Sequence, residues 1–221
     1  MAGAGIFASA RVASGGGSIS ATFQNSTGDA ADLSSYTFLT QPIGTASASR
    51  RVVVAASLRN TSRDISALTI GGVSAARDAQ SGASANWCQI WSAVVPTGTT
   101  ADVVVTVSGG TAGFCGIGVW SLSGGAPTGQ NATSNINSGT LVQSVTTVTG
   151  DVVIGVAAFR ASTTGPKCTW NTATEQYDID VDTAIRMHSG ADAVAAGSST
   201  DMGLTVSAFS ADASACAAAY A

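Results

Sequence analysis

Val52-Val-Val-Ala-Ala-Ser-Leu-Arg59 and Val153-Ile-Gly-Val-Ala-Ala-Phe-Arg160 read as one strand written twice, 101 positions apart (153 − 52). Each run is short and apolar, with β-branched residues and flanking turn formers, which is the pattern of a strand. A second pair follows in the same order. Thr100-Ala-Asp-Val-Val-Val-Thr-Val107 matches Ser199-Thr-Asp-Met-Gly-Leu-Thr-Val206 at a spacing of 99 (199 − 100). Cys115 and Cys216 again stand 101 apart (216 − 115). Three matches in one order at nearly one spacing point to duplicated half-domains. Two copies are too few for a solenoid, which needs three or more stacked units.

Outward from these runs, strand signals cover most of the chain. Residues 68–73, 87–95, 102–107 and 114–122 read as strands in the first half, separated by Gly, Ser, Thr, Asn or Pro clusters. Residues 141–148, 151–159, 167–170, 176–181, 184–188 and 202–209 continue the series. The expected fold is all-β, a jelly-roll-like or Ig-like β-sandwich. Its two pseudo-repeated halves span 35–124 and 139–221, and they either share one sandwich or form two packed ones. The polar, Gly/Pro/Asn-rich stretch 125–138 is expected as the connection between them. Residues 1–34, with Gly15-Gly-Gly17 and Asn25-Ser-Thr-Gly28, are expected to form a loose N-terminal docking arm. Only the Ala-rich segments 192–196 and 211–219 have weakly helical character.

The composition bounds the chemistry. The chain has 221 residues, 45% hydrophobic and only 10% charged, against a usual charged share of about 25%. It can bury a core. Nine scattered basic residues, with Arg50–Arg51 the one adjacent pair, cannot neutralise a line of phosphates, so nucleic acid is not an expected partner. No apolar run approaches the ~18–20 residues of a membrane helix, and the start of the chain lacks the pattern of a secretory signal. Cys88, Cys115, Cys168 and Cys216 form no CxxC pair and read as buried free thiols made in a reducing cytosol. Asn-x-Ser/Thr sequons at Asn25, Asn60 and Asn131 are, without a signal peptide, chance matches in a Ser/Thr-rich chain.

Catalysis finds little to work with. His188 is the one histidine, and no Gly-x-Ser-x-Gly elbow presents a serine to it. Glu175 is the only glutamate, and a glycosidase needs two carboxyls across a cleft. The chain is therefore read as a non-enzyme without a cofactor. In Glu175-Gln-Tyr-Asp-Ile-Asp-Val-Asp182, strand alternation puts Asp178, Asp180 and Asp182 on one face and Tyr177, Ile179 and Val181 on the other. That acidic row is a weak Ca²⁺ candidate, since it lacks the bracing glycine of a calcium loop, and the alternative is a solvated face.

The aromatics are the binding candidates. Trp87, Gln89 and Trp91 share one strand face, with Cys88, Ile90 and Val94 opposite; Trp120 shares a face with Phe114, Gly116 and Gly118. If the aliphatic sides line the core, Trp87, Trp91 and Trp120 project outward together. Three readings of that face stay open: packing under the other half-domain, a subunit interface, or a platform for a sugar ring.

Ser35-Tyr-Thr-Phe38, Gly44-Thr-Ala-Ser47 before Arg51-Val-Val-Val54, Ile70-Gly-Gly-Val73, Val95-Pro-Thr-Gly98 and Gly118-Val-Trp120 occur in an order that resembles β-sandwich surface proteins of tailed-phage and gene-transfer-agent particles. These are head decoration, head spike and tail-fibre modules. The resemblance is clear from Ser35 to Gly124 and reaches the second half through the repeat. It implies a multicopy role at a virion surface, with self-association (a trimer is one arrangement) and contact with major capsid or tail proteins. A tail-fibre or adhesin module would instead recognise host polysaccharide. No catalytic signature comes with the resemblance.

Overall fold

The computed structural model describes residues 19–59, 63–82, 86–135, 138–182 and 186–221, and all regular structure among them is β. The first half contains β1 (Ala21–Asp29), β2 (Ser35–Pro42), β3 (Arg51–Arg59), β4 (Ile65–Ile70), β5 (Val73–Ser74), β6 (Ala76–Gly82), β7 (Asn86–Val94), β8 (Thr100–Val107) and β9 (Cys115–Leu122). The second contains β10 (Pro127–Asn135), β11 (Thr140–Leu141), β12 (Ser144–Thr146), β13 (Val152–Ala161), β14 (Cys168–Trp170), β15 (Thr174–Asp182), β16 (Arg186–Val194), β17 (Ser199–Asp201), β18 (Leu204–Val206) and β19 (Phe209–Tyr220).

The two halves repeat one strand order. One five-stranded antiparallel sheet has the order β1-β9-β3-β7-β6, and the other has β10-β19-β13-β16-β15. Strand for strand these are the same sheet, with β3 and β13, the two repeated runs, at both centres. Each is covered on its outer face by smaller sheets, β2-β8-β4-β5 in the first half and β11-β18-β14 with β12-β17 in the second. The long sheets lie face to face with their strand order reversed, so that β1 meets β15 on one side and β6 meets β10 on the other. Their central strands run in the same sense. Ser57 near the end of β3 reaches His188, which lies opposite Ala158 of β13, and Asn86 at the same end of β7 donates to the Asp212 carbonyl at 2.6 Å. A pseudo-twofold axis therefore runs parallel to the strands. It brings Ile19 and Ala221 to one end of the molecule, where both lie against Gly125.

Four layers enclose three cores. Val52, Val54, Ala56 and Leu58 of β3 face the first half's own core with Tyr36, Leu68 and Val105, while Val53 and Ala55 face the central layer between the long sheets. In the second half, Val153, Ala157 and Phe159 face Trp170, Leu204 and Val206, whereas Ile154, Val156 and Ala158 face the central layer. Both faces of β3 and β13 are thus buried, which is why their runs are continuously apolar. Burying a Val, Ile or Leu side chain is worth about 1.5–3 kcal/mol. With Val53, Ile90, Leu122, Val152, Ile154 and Val156 all in the central layer, separating the halves would cost as much as the ~5–15 kcal/mol that holds an ordinary domain folded. The halves form one unit.

Several local expectations fail for the same reason, that long-range packing overrides local composition. Residues 21–29, expected within a loose arm, are β1, an edge strand paired to β9. Residues 127–135, expected within a connection, are its counterpart β10, paired to β19. The Ala-rich segments at 192–196 and 211–219 are not helical: they fall at the end of β16 and in β19. In β19, Ala213, Ala215, Ala217 and Ala219 line one core while Cys216, Ala218 and Tyr220 line the central layer. Small side chains suit a strand pressed between two layers, and that outweighs alanine's helical preference. The cysteine match also fails. Cys115 pairs with Leu58 and faces the first-half core, whereas Cys216 pairs with Val156, the counterpart of Ala55, and faces the central layer.

The halves differ by a compensating exchange of volume. Val54 pairs with Trp91, and Leu68 lies opposite Val105 on the covering sheet. At the matching places stand Gly155 paired with Ala191, and Trp170 opposite Leu204. The large indole has moved from the long sheet to the covering sheet. A Cβ on Gly155 would come within 2.8 Å of the Trp170 ring, so the glycine is what admits it.

Candidate functional site

The three tryptophans do not form a face. Trp91 pairs with Val54 and Trp120 with Val53, adjacent residues of β3 whose side chains point to opposite sides of the sheet. Trp91, 6% exposed, and half-buried Trp87 pack on the first-half core, and Trp120, 0% exposed, lies in the central layer. The projecting platform expected from Trp87, Gln89, Trp91 and Trp120 is therefore corrected: for Trp120 the second half covers it, and for Trp91 the protein's own first half does. Gln89 is fully buried. Its carboxamide accepts from the Trp91 Nε1–H at 2.7 Å and donates to Asp64. Asp64 in turn pairs with Arg77 at 3.2 Å, and the Arg77 guanidinium sits 5.8 Å from the centre of the Trp91 ring. On the other face the Trp120 Nε1–H donates to Asp192 at 2.8 Å.

A buried polar cluster lies where the halves meet. His188 of β16 is fully buried, with Nδ1 2.9 Å from the Ser57 hydroxyl of β3 and Nε2 2.9 Å from the Tyr177 hydroxyl of β15. Burial pushes the imidazole down to about 3, so it is neutral, and each ring nitrogen has a hydroxyl partner. Glycines make the space. A Cβ on Gly116 would meet the His188 ring at 2.8 Å, and the Tyr177 ring lies against Gly118 and Gly190 inside the distance any Cβ allows. A Ser–His pair catalyses acyl transfer only when a carboxylate orients the imidazole and substrate reaches the serine. Here a phenol replaces the carboxylate and the cluster is sealed, so it ties the halves together. The alternating glycines of Cys115-Gly-Ile-Gly-Val119 were the available signal for it.

The acidic row is engaged structurally. The expected alternation holds at Tyr177 and Ile179, which face the central layer. Asp178 Oδ2 accepts from the Lys167 and Cys168 amides, both at 2.6 Å, and Asp180 accepts from the Gly165 amide at 2.9 Å. Those carboxylates hold the turn before β14, and a bulge between Asp180 and Asp182 breaks the row's spacing. Among the described residues no group of three or more His, Cys, Asp or Glu side chains is placed to hold a metal ion. A second bulge, between Glu175 and Tyr177, turns Glu175 onto the same face as Asp178. Burial first, and the Asp178 charge second, push its carboxyl up to about 7.

All four cysteines are free and buried, and burial raises each thiol well above its ordinary range. Surface depressions among the described residues include two of comparable size. One, about 370 Å³, is lined by Ser20, Thr22, Gln24, Thr45, Ser47 and Ser121 among others. The Arg50 guanidinium beneath it is engaged by the carbonyls of Gly44, Val95, Thr97 and Gly98. The other, about 410 Å³, runs between the edge strands β6 and β10 and is lined by Arg77, Asp78, Ala79, Gln80 and Gln130. No helix among the described residues is long and apolar enough to cross a membrane. Comparison with protein-family models, with curated proteins and with solved structures found no match.

Proposed function

We propose that this chain is a non-enzymatic structural protein of a virion surface, a capsid decoration, cement or spike component that docks on the particle and associates with further copies of itself. The observation that carries the reading is the architecture: a four-layered block with Ile19 and Ala221 at one end and its reactive side chains enclosed. Such a block can dock by one end of its strands while the opposite end is presented outward. Its charges support the same reading. Only 10% of the residues are charged, and among these Arg50, Arg51, Asp151 and Asp192 are bonded within the protein; a chain so poor in charge suits burial against neighbouring subunits. The partners are major capsid or tail proteins and other copies of the chain, with a trimer as the simplest spike. Synthesis is in the bacterial cytoplasm, consistent with four unpaired thiols.

The test is light scattering on the full chain and on a chain lacking residues 1–18, since β1 begins at Ala21 and belongs to the fold. A defined oligomer that loosens on deletion supports the reading. A monomer in both overturns it.

A further inference from the structure

The groove between β6 and β10 is bordered by planar polar side chains of matched character. Asp78 is half-buried, and its Oδ2 accepts from the Tyr220 hydroxyl at 2.8 Å. Ser92 also donates to it, and the Ser92 hydroxyl is itself fixed by Arg51 at 2.9 Å. Four strands, β3, β7, β6 and β19, thus hold this carboxylate in one orientation. Gln80 and Gln130 face the same space from the two sheets, and neither carboxamide has a hydrogen-bond partner among the described residues.

Charge narrows the ligand. Arg77 is already paired with Asp64, so an anion meets no free cation here and is repelled by Asp78. A cation finds only Asp78, and burial raises that carboxyl above its ordinary range, which disfavours the charge a cation would need. Strand addition by an extended peptide is disfavoured beside the groove: a bulge at Arg77/Ala79 breaks the β6 edge where Asp78 stands, and Pro127 with the bulge at Pro127/Gly129 breaks the start of β10. What remains is a neutral ligand with many hydroxyls, because carboxylate and carboxamide groups can each take two hydrogen bonds from adjacent hydroxyls. The volume, about 410 Å³, falls within the ~300–1,000 Å³ range of small-molecule sites.

We propose that the β6–β10 groove binds a neutral saccharide, with Asp78, Gln80 and Gln130 hydrogen-bonding its hydroxyls. The site binds without cleaving, since glycoside hydrolysis needs a second carboxyl and Asp78 is the only one among the described lining residues. The proposal is independent of the virion reading, whose test is the oligomeric state.

The experiment is saturation-transfer NMR on the full chain with glucose, galactose, mannose, N-acetylglucosamine and their disaccharides, followed by titration of any that respond. At least one sugar is expected to show transfer. Gln80→Ala and Gln130→Ala are each expected to weaken it about tenfold, the size of one lost hydrogen bond, with the melting temperature unchanged. Gln24→Ala, in the other depression, is expected to leave affinity unaltered. The proposal is overturned if no sugar responds, or if Gln80→Ala and Gln130→Ala leave the affinity of a responding sugar unaltered.

Discussion

Acid should weaken this fold through a single imidazole. His188 is neutral and enclosed in the folded protein, where burial holds it at about 3, against an ordinary value of 6.5. Between those two values the unfolded chain carries a proton on His188 that the folded chain does not. Stability attributable to this residue is therefore complete above pH 6.5 and is lost as pH falls towards 3. The loss is about 1.4 kcal/mol per pH unit, so about 2 kcal/mol at pH 5 and about 5 kcal/mol by pH 3. The carboxyls of Glu175, Asp78, Asp178 and Asp192, all raised by burial, act in the opposite sense as they protonate. A bare pH profile mixes these effects. The useful measurement is urea unfolding of the native chain and of His188→Gln at pH 7, 6 and 5. The carboxamide of the variant cannot take up a proton, so the difference in stability between the two proteins should shrink by about 2 kcal/mol between pH 7 and pH 5, most of it below pH 6. Nitrogen NMR of the folded native chain should show the imidazole neutral at pH 5. Parallel stability profiles, or an imidazolium in the native state at pH 5, would refute the argument.

Glu175→Gln should flatten stability between pH 5 and 8, because a carboxyl raised to about 7 keeps its proton in the fold and loses stability as pH rises through that window. Thermal melts at pH 5 and 8 should therefore show the variant gaining at pH 8 only, and equal gains at both would contradict this. Gly118→Ala should destabilise by about 3 kcal/mol, since its methyl would enter the Tyr177 ring and neither packed sheet can retreat; a denaturation midpoint like the native chain's would show the layer to be looser than described. The thiols of Cys88, Cys115, Cys168 and Cys216 should resist a thiol-specific disulfide reagent in the native protein and all react in urea. Fast labelling of any one without denaturant would place it outside the cores.

The central layer explains which features were readable in advance. The doubled run at Val52 and Val153 was legible because a strand buried on both faces must be continuously apolar, and the β8 match at Val105 and Leu204 survives in the register. The turn-rich segments around β1 and β10 were not legible as strands. An edge strand takes its stability from the neighbour it pairs with, and that neighbour is 101 residues away (122 − 21) for Ala21, which pairs with Leu122, and 93 away (220 − 127) for Pro127, which pairs with Tyr220. The candidate site was less legible still. Alternation along β7 correctly grouped Trp87, Gln89 and Trp91, yet nothing local relates the phase of β7 to that of β9. Trp91 and Trp120 were separated by their pairing to neighbouring residues of β3.

The sequence alone determined an all-β chain of two related halves with enclosed thiols, because side-chain period, β-branching and repeat spacing are local properties of the polymer. The tertiary structure alone decided that the two long sheets stack about an axis parallel to their strands. It joined Ser57, His188 and Tyr177, buried the indoles, and set Gln80 across a groove from Gln130. Those relations depend on register and on facing layers, which are fixed by contacts between residues far apart in the chain.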